Sequence, residues 1–104
     1  MTFELICTNG KFSIDNLFLS EITDLFTITK LNDDSFSITD GESHISLSAR
    51  SDDFIEMYYS IRGKSFYCKG CKFVIHSFDS FDTIHLLDES SCNIFSTAID
   101  KVIV

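Results

Sequence analysis

The 104-residue chain contains no proline, no tryptophan and only four glycines. Proline is common in the linkers between domains, so its absence favours a single domain over residues 1–104. No apolar run approaches the roughly 20 residues that a membrane-spanning helix requires, and no basic N-terminal region precedes an apolar segment. We therefore expect one soluble, cytoplasmic domain that has no membrane partner.

Basic residues are also scarce: the chain has eight lysines and arginines but sixteen aspartates and glutamates. The resulting formal net charge of −8 repels nucleic-acid phosphates and anionic lipid surfaces. Direct binding to nucleic acid is therefore not expected. A basic protein is the partner that such a charge balance favours.

Aromatic residues are abundant, and eleven of the side chains are Phe, which suits the pleated surface of a β-sheet. Segments of alternating apolar and polar residues are separated by the turn dipeptides Asn9-Gly10, Asp40-Gly41, Gly63-Lys64 and Lys69-Gly70. Asn-Gly and Asp-Gly are strong hairpin signals, because a type I′ turn requires positive φ at both central residues. The sequence predicts a mainly β fold: an antiparallel meander of about eight to ten strands in a sandwich or partly closed barrel.

The first of these turns predicts a register. A turn at Asn9-Gly10 pairs Cys7 with Phe12 and Leu5 with Ile14, and so places the apolar side chains of both strands on one face. This segment is expected to be a half-buried hairpin.

Two later turns predict a further pair of hairpins. A turn at Gly63-Lys64 would place Tyr59 opposite Cys68, and a turn at Lys69-Gly70 would place Cys68 opposite Cys71. Three successive strands would then present one continuous apolar face.

Two segments, residues 54–62 and 92–104, fit both a helix and a strand, and a third is predicted to be a helix. Residues 54–62 have helix-capping signals at both ends, but Ile55 and Met57 begin a clean alternation that favours a strand. Apolar positions within residues 17–26 have helical spacing and predict a short helix. Residues 92–104 fit either a second short helix or a closing strand, and the sequence leaves both open.

The sequence Cys68-Lys69-Gly70-Cys71 places two thiols at the tip of a predicted hairpin, which is half of a zinc knuckle. The remaining cysteines and histidines are scattered and form no second pair of matching spacing. The predicted register turns both sulfur atoms toward the apolar face, which favours buried, reduced thiols over a redox pair or a zinc-binding module that uses Cys68 and Cys71. No cofactor is expected.

The chain has three histidines and many serines, but none lies in a recognisable catalytic motif. His44 falls on the serine-rich polar face of its predicted strand, where a solvated histidine is expected. These observations favour a protein that is not an enzyme.

Charge is distributed unevenly, since residues 33–56 hold seven acids and one base, whereas residues 62–72 hold four bases and no acid. Successive turns of a meander alternate between its two ends, so three acid-bearing turns are expected at one rim. The predicted partner-binding residues at this rim are Asp33, Asp34, Asp52, Asp53, Asp88 and Glu89, with Lys69 as the one base among them. Turns also favour aspartate for local reasons, and exposed acids keep a domain soluble, so this alternative stays open.

In its size, acidity, phenylalanine content and lack of a catalytic motif, the chain resembles the small immunity proteins of contact-dependent inhibition and related bacterial competition systems. The resemblance is one of overall character and covers the whole chain. It implies an intracellular, non-enzymatic inhibitor that binds a cognate toxin, often by covering the active site of the toxin.

Nuclease domains of such toxins are basic because they hold phosphate, and the acidic rim would complement that surface. The alternative is a phage-type anti-defence protein whose rim mimics nucleic acid. The oligomeric state stays open, because a meander that does not close leaves two edge strands that are able to recruit a second copy.

Overall fold

The computed structural model describes residues 2–14, 27–39 and 42–100, and within these ranges the chain forms an antiparallel β-sandwich. The strands are β1 (Thr2–Thr8), β2 (Lys11–Ile14), β3 (Thr27–Asn32), β4 (Ser35–Thr39), β5 (Ser43–Ala49), β6 (Ile55–Ile61), β7 (Lys64–Gly70), β8 (Lys72–Ser77), β9 (Phe81–Leu87) and β10 (Asn93–Asp100). The first sheet has the order β10-β9-β8-β1-β2, and the second sheet has the order β3-β4-β5-β6-β7. The predicted mainly β, antiparallel fold is confirmed in its sandwich form.

The core lies between the two sheets, because every second side chain along each strand points inward. The largest fully buried side chains are Phe3, Phe36, Phe73, Leu5, Ile38, Ile45, Leu47, Ile55, Met57, Ile75 and Ile84. Aromatic contacts join the layers, as where the rings of Phe12 and Phe36 meet edge to face with centroids 5.3 Å apart. Among the described residues, no helix has the length and apolar character to span a membrane.

The predicted first hairpin is confirmed, with Cys7 opposite Phe12 and Leu5 opposite Ile14. Its turn has φ values of 53° at Asn9 and 76° at Gly10, as a type I′ turn requires.

The hairpin between β6 and β7 turns one residue earlier than predicted. Arg62 and Gly63 have φ values of 49° and 77°, so glycine occupies the second central position, as it does at Gly10. Tyr59 therefore lies opposite Phe66 rather than opposite Cys68. The resulting shift of two residues leaves the apolar side chains of β7 on the predicted face.

The predicted hairpin at Lys69-Gly70 is wrong. Strand β7 ends at Gly70, and β8 belongs to the other sheet, where it pairs with β1 and β9. A Cβ atom on Gly70 would lie 2.7 Å from Leu86 Cγ and 2.9 Å from the carbonyl oxygen of Leu87. Glycine is required here because the chain passes close to β9, and the predicted pairing of Cys68 with Cys71 does not occur.

The ambiguous segments resolve in favour of strands wherever the structure describes them. Residues 55–61 form β6, as the alternation predicted, and residues 93–100 form β10, which pairs with β9. Of the two alternatives predicted for this segment, the structure therefore has the closing strand and not the second helix over residues 93–100. The predicted helix at 17–26 and the turn at Asp40-Gly41 lie outside the described residues.

Candidate functional site

The six predicted binding residues lie in three connections at the same end of the sandwich. Residues 33–34 join β3 to β4, residues 52–53 lie between β5 and β6, and residues 88–89 begin the connection from β9 to β10. Connections of an antiparallel sheet alternate between its ends, and this places the first two together. We call Asp33, Asp34, Asp52, Asp53, Asp88 and Glu89 the acidic end.

The β1–β2 hairpin ties two of these connections together across the sandwich. The backbone N–H of Asn9 donates to Asp53 Oδ1 at 2.7 Å, and the N–H of Phe12 donates to the carbonyl oxygen of Asp33 at 2.8 Å. The first two acidic connections are thus both bonded to the hairpin that contains Asn9-Gly10.

The third connection faces the second across a cleft of about 240 Å³. Its walls include Phe54, which follows the second acidic pair, Gly70 at the end of β7, and Ile94 of β10. Asp88 and Glu89 lie along the same cleft. The cleft thus combines apolar surface with two carboxylates.

Two carboxylates of the acidic end are already paired with lysines. Lys30 Nζ lies 3.2 Å from Asp33 Oδ1, and Lys69 Nζ lies 2.9 Å from Asp52 Oδ2. The hydrogen bond from Lys69 is the main cause that lowers the pKa of Asp52, and the same bond raises the pKa of Lys69. The prediction that Lys69 is the one base at this end is therefore wrong. Lys30 also neutralises part of the negative charge of the acidic end.

Other carboxylates shape the turns in which they lie. Asp88 Oδ1 accepts hydrogen bonds from the backbone N–H groups of Ser90 and Cys92, each at 2.9 Å. Asp53, with φ of 65°, accepts from Asn9 as described. A hydrogen bond from a backbone N–H does not neutralise a carboxylate, so the local role and a binding role of aspartate are compatible.

An exposed aromatic pair lies beside the acidic end on the outer face of the second sheet. The rings of Tyr58 and Tyr67 have centroids 4.9 Å apart, and each residue is 52% exposed. Desolvation, followed by a hydrogen bond with Glu56, raises the pKa of Tyr67. Glu56 lies opposite Lys69 across the β6–β7 pair, which connects this aromatic surface to the acidic end.

The cysteines do not form a metal centre in the described part of the chain. Cys7, Cys68, Cys71 and Cys92 are free thiols, and no group of three potential ligands lies close enough to hold an ion among residues 2–14, 27–39 and 42–100. Burial, and then the charges of nearby acids, raises the pKa of the Cys71 thiol. Such a thiol is a poor nucleophile and a poor metal ligand at neutral pH.

The histidines lie on the outer faces of the sheets and not at the acidic end. His44 bonds to Ser46 Oγ at 2.9 Å on the serine-rich face, as predicted for a solvated strand histidine. His76 and His85 lie on the outer face of the first sheet, with ring centroids 5.5 Å apart. They bond to hydroxyl and amide groups, such as Thr2 Oγ1 for His76.

Two residues of the site were missed by reasoning from the sequence. Phe54 and Ile94 line the cleft, yet each looks in the sequence like an ordinary strand-flanking apolar residue. The available signal was weak: each comes shortly after a polar turn, where an apolar side chain has less neighbouring surface to cover it. Comparison of the chain with family models, with curated proteins and with solved structures found no match.

Proposed function

We propose that the protein is a non-enzymatic inhibitor, an immunity protein that neutralises a basic, nuclease-type toxin domain of bacterial competition systems. One observation carries the proposal. Three connections that are far apart in sequence bring six carboxylates to one end of the sandwich, and lysines pair with two of them. The remaining negative charge suits a partner with a basic surface.

Complementary charge would act first on the rate of association. A nuclease surface carries lysines and arginines that hold phosphate, and a carboxylate-rich surface attracts the same groups. Occupation of those groups by the acidic end would keep nucleic acid away from the toxin. The inhibitor needs no catalytic residue for this role.

Exposed apolar surface next to the acidic end would supply binding energy that charge alone does not. Tyr58 and Tyr67 are exposed on the outer face of the second sheet, and Ile94, which is 45% exposed, lines the cleft. Interfaces of this kind depend on a few aromatic or aliphatic anchors surrounded by polar contacts. Tyr58, Tyr67 and Ile94 would serve as such anchors.

The test compares two variants that remove equal charge from different surfaces. The first variant carries Asp33→Asn, Asp53→Asn and Glu89→Gln, one change in each acidic connection. The matched control carries Glu4→Gln, Glu42→Gln and Asp79→Asn, which are exposed residues away from the acidic end. Both variants reduce the net negative charge by three, so a difference between them reports position and not total charge.

Each protein is used to capture partners from nuclease-treated lysate of the source cells at low and at moderate salt. We expect the native protein and the control to retain one basic protein in stoichiometric amount, with less retained by the first variant and at higher salt. The purified partner should show nuclease activity that the native protein inhibits. Equal retention by both triple variants would contradict the proposal, and so would a retained basic protein that has no nuclease activity, since that result would favour mimicry of nucleic acid toward another nucleic-acid-binding protein.

A further inference from the structure

The cleft at the acidic end shares an aromatic ring with an arrangement that the protein already fills with a cation. Lys69 Nζ lies 4.8 Å from the centroid of the Phe54 ring, and it donates a hydrogen bond to Asp52 Oδ2 at 2.9 Å. A side chain with an apolar stem and a cationic head thus lies over this ring and reaches a carboxylate. The same ring also lines the cleft that contains Asp88 and Glu89.

No lysine or arginine of the described residues pairs with the two carboxylates of the cleft. Asp88 uses Oδ1 for the N–H groups of Ser90 and Cys92, which fixes the orientation of its carboxylate. Glu89 is exposed and follows directly in the turn. The cleft therefore offers one oriented carboxylate and one adaptable carboxylate beside apolar walls.

The cleft has exposed apolar walls, which solubility alone does not require of a surface. Ile94 is an exposed aliphatic residue at the bulge that begins β10, where pairing with β9 shifts between Asn93 and Phe95. Bulges bend a strand and redirect its side chains. Together with Phe54, Ile94 supplies apolar surface that a wholly acidic patch would lack.

We propose that this cleft binds one arginine side chain of the protein partner, with its stem between Phe54 and Ile94 and its guanidinium group at Asp88 and Glu89. The proposal rests on the proposed function, which supplies a basic partner. Arginine fits better than lysine, because its planar guanidinium group stacks on an aromatic ring and reaches two carboxylates at once. The cleft would then be the anchor point of the wider acidic end.

The cleft is tested with small probes, so that the identity of the partner is not needed. N-acetyl-arginine amide is titrated into ¹⁵N-labelled protein at low ionic strength while the backbone amide resonances are followed. N-acetyl-citrulline amide has nearly the same shape without the charge, and N-acetyl-lysine amide has the charge without the planar group. We expect saturable shifts at Phe54, Gly70 and Glu89 with the arginine probe, weaker binding of the lysine probe and none of the citrulline probe.

Variants of exposed residues sharpen the result without a risk to folding. Glu89→Gln should weaken binding of the arginine probe about threefold, as loss of one exposed ion pair predicts. Ile94→Ser should weaken it by a similar factor, because part of the apolar wall is lost. Glu42→Gln is the matched control, since Glu42 lies outside the cleft and pairs with Arg62, and should change nothing.

Three results would overturn the inference: small shifts spread over all acidic residues, equal binding of the arginine and citrulline probes, or equal binding of the lysine probe. These outcomes are separable from failure of the proposed function. If the arginine probe fails while salt-dependent capture of a basic nuclease succeeds, the cleft is not the anchor and the proposed function stands. If the probe binds as expected while capture fails, the cleft chemistry stands and the proposed function is wrong.

Discussion

The acidic end has two sides that differ in how their charge is balanced. On the paired side, Asp33 and Asp52 each bond to a lysine of the same protein. On the cleft side, Asp88 and Glu89 have no lysine or arginine partner within the described residues. The comparison shows that a count of acids in a sequence overstates the charge that a surface offers to a partner, and that the cleft side leaves both of its carboxylates without a lysine or arginine partner among the residues that the structure describes, whereas the paired side leaves two of four.

The largest expected effect concerns the backbone that positions the cleft. Gly70→Ala should lower the free energy of unfolding by about 2–3 kcal/mol, because the new Cβ would meet Leu86 and the Leu87 carbonyl. Gly63→Ala is the control, since its φ of +77° causes strain but no atom lies within 4 Å, and we expect a loss of about 1 kcal/mol. Urea denaturation measures both, and equal losses would show that Gly70 is not needed for close packing.

A smaller effect separates the structural acids of the two sides. Asp88→Ala removes the acceptor of two backbone N–H groups and should cost about 1–2 kcal/mol of stability. Asp33→Ala removes only an exposed ion pair and should cost at most about 0.5 kcal/mol. Asp88→Asn keeps the acceptor oxygen and should recover most of the loss in the same denaturation experiment. A larger loss of stability for Asp33→Ala than for Asp88→Ala would contradict the claim that Asp88 is the structural acid of the two.

The paired side should show a pH dependence that follows from the Lys69–Asp52 hydrogen bond. This bond lowers the pKa of Asp52 in the folded protein, so its contribution is present at neutral pH and is lost as pH falls through that lowered pKa. Lys69→Met should raise the pKa of Asp52 toward its usual value, as followed by carboxyl NMR titration. The stability difference between this variant and the native protein should become smaller in acid, where only the contact of Lys69 with the Phe54 ring remains. Lys30→Met is the control and should leave the pKa of Asp52 unchanged.

The smallest effect concerns the thiol in the cleft. Burial, and then Glu89 and Asp88, raises the pKa of Cys71, so removal of one charge should lower that pKa slightly. Glu89→Gln is expected to accelerate alkylation of Cys71 by iodoacetamide at pH 8 by at most about twofold. The exposed Cys92 should react faster than Cys71 in both proteins. Slower alkylation in the variant would show that the carboxylate of Glu89 does not reach the thiol.

Local sequence signals predicted the strands and the first hairpin well. The pair Asn9-Gly10 specified a turn and a register, and the alternation after Ile55 identified β6, because period-2 patterns report directly on which face is buried. The same reasoning misplaced the turn at Gly63, since a glycine next to a polar residue on either side leaves two positions for a two-residue turn.

Long-range features were beyond what local patterns provide. Gly70 looked like a turn glycine, but its role depends on Leu86, which lies on a strand whose position the sequence alone does not give. The pairing of β1 with β8 joins residues about 70 positions apart, and no dipeptide signal reports it. The cleft was missed for the same reason, because Phe54 and Ile94 meet only after both sheets are assembled.

The most direct test of the account compares the two sides in binding. Two double variants, Asp33→Asn with Asp52→Asn and Asp88→Asn with Glu89→Gln, each remove two charges from the acidic end. Calorimetric titration of the captured basic partner should show a loss of affinity of about fivefold or more for the cleft-side variant and about twofold or less for the paired-side variant. Equal losses, or a greater loss on the paired side, would contradict the claim that the partner recognises the charge that the lysines leave unbalanced.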